Sequence, residues 1–321
     1  MKELEYAFCV ACIRANEKHL LTSADVNKLA ESQSYDEALK FLSSKGWIEA
    51  KGSINDFVAR RNEKLWQLIS EIVPDKKELE VLCVVNDYFN LKAAVKCLLT
   101  GNDLEKFYIK PTTVDLVQLT ENIKNHTFEN IGADKGDCVS KAYDIANKTQ
   151  IGQNAEIIID KAAIDCMRDF AKKYKNSISG EICAFMCDTS NIKIALRCAL
   201  TAKNKDFVES AIGECSKLDR ADLISYTLSG VDKLKEYLLN TDYSEGASLY
   251  DESPSAYDKW CDDQVIEVSK NASFKAFGFD PVCAYYYAVI TEIKTVNIIL
   301  SGLYYGADKN TIKQRVRNLY V

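Results

Sequence analysis

The stretch Asn86-Asp87-Tyr88-Phe89-Asn90-Leu91-Lys92-Ala93-Ala94-Val95-Lys96-Cys97-Leu98-Leu99-Thr100-Gly101 is written again 101 residues later. The second version is Cys187-Asp188-Thr189-Ser190-Asn191-Ile192-Lys193-Ile194-Ala195-Leu196-Arg197-Cys198-Ala199-Leu200-Thr201-Ala202. Both carry an acid, an Asn three residues on, and a basic pair spaced by four. A third version, Thr291-Glu292-Ile293-Lys294-Thr295-Val296-Asn297-Ile298-Ile299-Leu300-Ser301-Gly302, keeps the acid and the apolar spacing. It puts Thr295 in place of the Asn, and Asn297 and Ser301 in place of the two bases. Each copy has apolar residues at helical intervals, Leu91, Ala94, Val95, Leu98 and Leu99 in the first, and Ile192, Ala195, Leu196, Ala199 and Leu200 in the second. The spacing predicts three related units, 1–105, 106–207 and 208–321, each built around one long helix.

Outside the repeat the chain also reads as helical. Four Pro and 13 Gly in 321 residues interrupt little, and all-α is the expected class. Leu4, Ala7, Phe8, Ala11 and Cys12 form an i, i+3, i+4 stripe for a first helix. Thr22-Ser23-Ala24-Asp25 and Ser34-Tyr35-Asp36-Glu37 are capping boxes for two short ones. Helices are expected over 56–72, 78–100, 138–148 and 157–174, with a short element at 128–131, two short helices over 218–239, one from Trp260 to Lys270, and a last long one opened by Pro281. The polar stretch 240–258, with Pro254, reads as an exposed loop.

The charge balance of 41 basic against 47 acidic residues, net -6, argues against a nucleic-acid binder acting through a general basic field. Twelve cysteines without a secretory leader point to a reducing compartment, the cytoplasm. The most apolar region, 276–291, is broken by Asp280-Pro281 and falls short of the roughly 20 residues a bilayer requires. His19 and His126 sit among polar neighbours, away from any zinc-type spacing. No phosphate-cradling glycine motif occurs. No catalytic residue, cofactor, metal or small-molecule substrate is therefore expected.

Asp87, Asp188 and Glu292 lie in line with the apolar stripe of their helices, four residues before Leu91, Ile192 and Val296. A carboxylate there must be hydrogen-bonded or paired. Two readings follow: an acid that anchors a neighbouring helix, or three related acids around an opening that meet a partner. Lys92, Lys96, Lys193 and Arg197 are expected to form two-thirds of a ring of positive charge facing an acidic partner.

The Asp87–Lys92 motif, its copy Asp188–Lys193, the block Phe277-Gly278-Phe279-Asp280-Pro281 through Gly302, and the closing Arg317-Asn318-Leu319-Tyr320-Val321 together resemble the C subunit of bacterial and archaeal V-type (A/V-type) ATP synthases. That family is related to the d subunit of the eukaryotic vacuolar ATPase. The resemblance covers nearly the whole chain. It implies a funnel of three pseudo-equivalent helical units around an axis. It also implies a non-catalytic rotor part that receives the central stalk, sits on the membrane ion-carrying ring and transmits torque, membrane-associated only through the complex. Two other readings of the residues stay open: a helical-repeat scaffold unrelated to rotary machines, and a thiol oxidoreductase using Cys9 and Cys12.

Overall fold

The computed structural model describes residues 2–48, 52–128, 131–149 and 152–321. Among them there is no strand. Sixteen α-helices follow one another: α1 Lys2–Glu17, α2 Ser23–Ala30, α3 Tyr35–Ser44, α4 Ile54–Ile72, α5 Glu80–Thr100, α6 Leu116–Asn125, α7 Ala133–Thr149 and α8 Gly152–Lys173, then α9 Ile178–Leu200, α10 Lys205–Ala211, α11 Arg220–Leu228, α12 Val231–Leu238, α13 Ser244–Glu252, α14 Pro254–Lys270, α15 Asp280–Tyr304 and α16 Lys309–Arg315. The chain resolves into two compact units. One comprises 1–79, 177–179 and 245–321, and the other 80–176 and 180–244.

In the first unit α15 is the central element, packed against α14, α4 and α1. Its 25 residues make a rod of about 37 Å. Val282, Cys283, Ala284, Val289, Val296 and Ile299 are buried along it, with Asp280 accepting from the Ile178 amide at 2.9 Å at its first turn. In the second unit α5 holds the same place, against α8, α7 and α6, through Leu91, Ala94 and Val95.

The expected N-terminal signals are present as structure. Thr22 and Asp25 form a reciprocal capping box on α2, and Ser53 and Asp56 form one on α4 that the sequence reading did not name. Ser34 caps α3 by accepting from the Glu37 amide, but the Glu37 carboxylate turns to the Gln33 amide instead of returning the bond to Ser34.

Several expectations are corrected. The buried face of α1 is Tyr6, Cys9, Val10 and Ile13, whereas Phe8 is 69% exposed; the Leu4 side chain lies outside the described residues. Both faces of this helix are apolar, and the bulkier one is turned inward. The apolar stripes of α5 and α9 stop one residue short, since Leu99 and Leu200 are 38% and 58% exposed while Leu98 still packs against the core. The stretch 240–258 is not an open loop. It holds α13 and the first turns of α14, with Tyr243, Ala247, Tyr250 and Tyr257 buried, and Pro254 opens α14 behind a Ser253 cap. Gly246 permits this packing, because a Cβ there would lie 2.4 Å from the Trp260 ring. Of the short element expected at 128–131, residues 129–130 lie outside the described residues. No helix among the described residues is long and apolar enough to cross a membrane.

Candidate functional site

The three repeated acids are the most buried charges of their helices, at 1% (Asp87), 0% (Asp188) and 1% (Glu292) exposure. None is unsatisfied. Each reaches across to a segment that leads into a short helix, and together they form three joints of common design.

At the first joint Asp87 on α5 accepts from the Thr113 amide at 2.7 Å, from the hydroxyls of Thr112 and Thr113, and from Lys135 Nζ at 2.5 Å. Asn90, one turn on, locks the same segment in both directions. Its amide group donates to the Ile109 carbonyl and its oxygen accepts from the Ile109 amide, both at 2.9 Å. Asn86 donates to the Pro111 carbonyl at 2.8 Å. This segment leads into α6, which Asp115 caps.

At the second joint Asp188 on α9 accepts from the Ser216 and Lys217 amides at 2.7 and 2.8 Å and from the Tyr243 hydroxyl at 2.7 Å. Burial and the Asp188 charge push the Tyr243 phenol up, so it stays a donor. Asn191 repeats the double lock, accepting from the Gly213 amide at 2.9 Å and donating to the Glu214 carbonyl at 3.3 Å. This segment leads into α11, capped by Asp219.

At the third joint Glu292 on α15 accepts from the Leu21 amide at 2.6 Å, the Trp47 indole at 2.8 Å and Arg61 at 2.9 Å. Leu21 leads into α2. Thr295 occupies the place of Asn90 and Asn191, fully buried, and its hydroxyl has no hydrogen-bond partner. The chemistry of all three joints is the same. A buried carboxylate takes up backbone amides of the non-helical segment just ahead of a short helix, and a cation or phenol balances the remainder.

Asp87 and Asp188 reach forward along the chain, to residues 112–113 and 216–217, and Glu292 reaches back to Leu21. Sequence reading isolates the acids but not their partners, nor Asn90 and Asn191 as locks, although an Asn three residues after the acid in two copies is a readable signal.

The basic residues are placed differently. Lys92 and Lys96 pair with Asp160 at 2.6 Å and Glu156 at 2.8 Å, both on α8. Lys193 is half-buried and Arg197 exposed on α9. His19 and His126 are exposed, the latter in a left-handed conformation at the end of α6. Among the described residues no cluster of His, Cys, Asp or Glu could hold a metal ion. All twelve cysteines are free. Cys9 is fully buried, and burial pushes its thiol up to about 12, far from the thiolate that dithiol exchange uses as nucleophile.

A chain of this build matches the ATP synthase (C/AC39) subunit family over residues 9–315. It belongs to that family. Among curated C subunits, it is 23% identical to that of the V-type sodium ATPase of Enterococcus hirae, over 99% of both chains. It is 24% identical to that of the A-type ATP synthase of Methanocaldococcus jannaschii, over 98% of this chain and 86% of the archaeal one. As a member of this family, the chain is a peripheral part of a membrane-associated ATPase complex.

Proposed function

We propose that this C subunit is the non-catalytic rotor part that links the central stalk to the membrane ion-carrying ring and transmits torque between them. We further propose that its three repeats, 1–105, 106–207 and 208–321, form a funnel about a pseudo-threefold axis. The observation that carries the reading is the direction in which the three acids reach, which for these repeats makes a cycle. Glu292 returns to Leu21, 271 residues back in the chain, as Asp87 and Asp188 reach forward to the repeats that follow them. An open solenoid has no reason to join its last repeat to its first. A body that carries torque does, because a closed set of joints has no free end at which to shear.

In this reading the acids are the internal fasteners and the basic residues face outward. Lys92 and Lys96 are held by surface ion pairs, each contributing about 0–1 kcal/mol, which acids on a partner can replace at little cost. Lys193 and Arg197 continue the basic surface on α9, while Asn297 and Ser301 on α15 leave the third position neutral. That asymmetry sets the orientation of the stalk or ring surface. The test is reconstitution with ring and stalk components, imaged to locate this chain, followed by charge reversal at Lys92, Lys96, Lys193 and Arg197. Weaker assembly with a flattened salt dependence is expected. Unchanged assembly and salt dependence would remove the four residues from the interface, and a position away from the stalk and ring would overturn the role.

A further inference from the structure

The three joints differ in how firmly each holds its segment. At the first, the long helix makes four hydrogen bonds to the segment's backbone, at Ile109 N, Ile109 O, Pro111 O and Thr113 N. Five form at the second, at Gly213 N, at Glu214 O from both Asn191 and the Cys187 thiol, and at Ser216 N and Lys217 N. At the third, one is seen among the described residues, from Leu21 N. Thr295 replaces the locking Asn and its buried hydroxyl is unpartnered. Arg61 Nε and Asn62 Oδ1, on the facing helix α4, are buried and unpartnered as well. Unpaired buried polar groups disfavour the closed state relative to one in which water reaches them.

What the third joint lacks from α15 it receives from the segment 316–321. Ser23, at the start of α2, donates its amide to the Val321 carbonyl at 3.2 Å. The segment itself is anchored by the Asn318 amide on Asp263 at 2.7 Å, by Arg317 on Asp262 at 3.1 Å and by the Tyr320 hydroxyl on Glu17 at 3.3 Å. Leu319 is buried.

We propose that the third joint is the one that opens, and that residues 316–321 are the strap that keeps it shut. Releasing the strap leaves the Glu292 bond to the Leu21 amide and the packing of Leu20 and Leu21 to hold residues 20–23 on α15, so α2 opens from α15 while the first two joints stay closed. That such an opening admits a stalk during assembly rests on the function proposed above. The opening itself does not, and it is measured on the isolated full-length chain, so its failure leaves the proposed role standing.

The experiment is residue-resolved amide hydrogen exchange. In the unaltered protein the Leu21 amide is expected to exchange roughly a hundredfold faster than those of Ile109, Thr113, Gly213 and Ser216, the effect of about three fewer bonds of ordinary strength. Leu319→Asp, which expels the strap, accelerates Leu21 and Ser23 tenfold or more and leaves Ile109 and Gly213 unchanged. Asn90→Thr, which gives the first joint the chemistry of the third, accelerates Ile109. Equal protection of Leu21 and the four reference amides in the unaltered protein overturns the proposal without any variant. So does a Leu21 rate that Leu319→Asp leaves unmoved.

Discussion

Replacing Asp188 by Asn keeps the shape of the second joint and removes its charge. The carboxylate now takes three donors, with Ser216 N on one oxygen and both Lys217 N and Tyr243 Oη on the other. An amide offers one oxygen. If that oxygen stays on Ser216, the new NH2 faces the Lys217 amide, donor against donor, while the Tyr243 hydroxyl can turn and accept. A buried donor left unpaired costs about 1–3 kcal/mol, and each bond that loses its charge loses about 1 kcal/mol. The sum is about 3 kcal/mol for Asp188→Asn. In urea, with a slope of about 3 kcal/mol/M for a chain of this size, the midpoint falls by about 1 M. The three tryptophans, Trp47, Trp66 and Trp260, all lie in the unit of residues 1–79 and 245–321. Far-UV circular dichroism therefore reads the whole chain, and tryptophan fluorescence reads the unit without Asp188. Tyr243→Phe removes one donor and leaves the charge satisfied by two amides, so it lowers stability by only about 1 kcal/mol. Its effect is smaller in the Asp188→Asn background than alone, as contacting residues require. A midpoint shift below about 0.3 M for Asp188→Asn, or strict additivity of the two changes, would show that this carboxylate is not the fastener described.

Cys9, with its thiol pushed up to about 12, holds roughly one thiolate in ten thousand at pH 8, so mass spectrometry after brief iodoacetamide treatment of the native protein should find it unmodified. Gly246→Ala drives a methyl group into the Trp260 ring and is expected to destabilise by about 1–3 kcal/mol, with a changed tryptophan emission as the local readout. Burial of Asp25 works to raise its carboxyl pKa, but Lys45 at 2.6 Å and Thr22 outweigh it, and the group is held below its ordinary value. The contribution of this cap to stability is therefore complete above about pH 4 and is lost as the pH falls through the folded value. Lys45→Met should move the Asp25 carbon chemical-shift titration upward.

The motif alone reveals the helical class and the need to satisfy its acids, because a carboxylate in register with Leu91, Ile192 or Val296 has nowhere to go but a buried partner. The partners are unreadable for a physical reason. Asp87 and Asp188 reach backbone amides 26 and 28 residues on, and backbone groups carry no side-chain signature. Glu292 reaches Leu21 at the opposite end of the chain, a distance at which no local pattern speaks. Pattern alone picks the wrong face of α1 because both faces are apolar and only volume separates them. It misses the burial of 240–258 because the apolar groups there are tyrosines, whose hydroxyls count as polar in a sequence and whose rings pack as core. The partners of Lys92 and Lys96 are legible in principle, since Glu156 and Asp160 repeat the same spacing of four.

One departure visible in the sequence, Thr295 in place of Asn, separates the third joint from the other two. In α5 and α9 the Asn side chain is a self-paired lock, donor and acceptor both spent on one stretch of backbone, which a hydroxyl is too short to imitate. At the third joint the helix α1 ends at Glu17, just before the segment Glu292 holds, and the Leu20 amide already pairs with the Glu17 carbonyl at 3.1 Å. There is less unpaired backbone left for an Asn to lock. A buried carboxylate therefore fastens an irregular lead-in segment at two places and, as Glu292, the segment just after a helix end at the third, and the difference between a permanent joint and a releasable one lies in what precedes the segment.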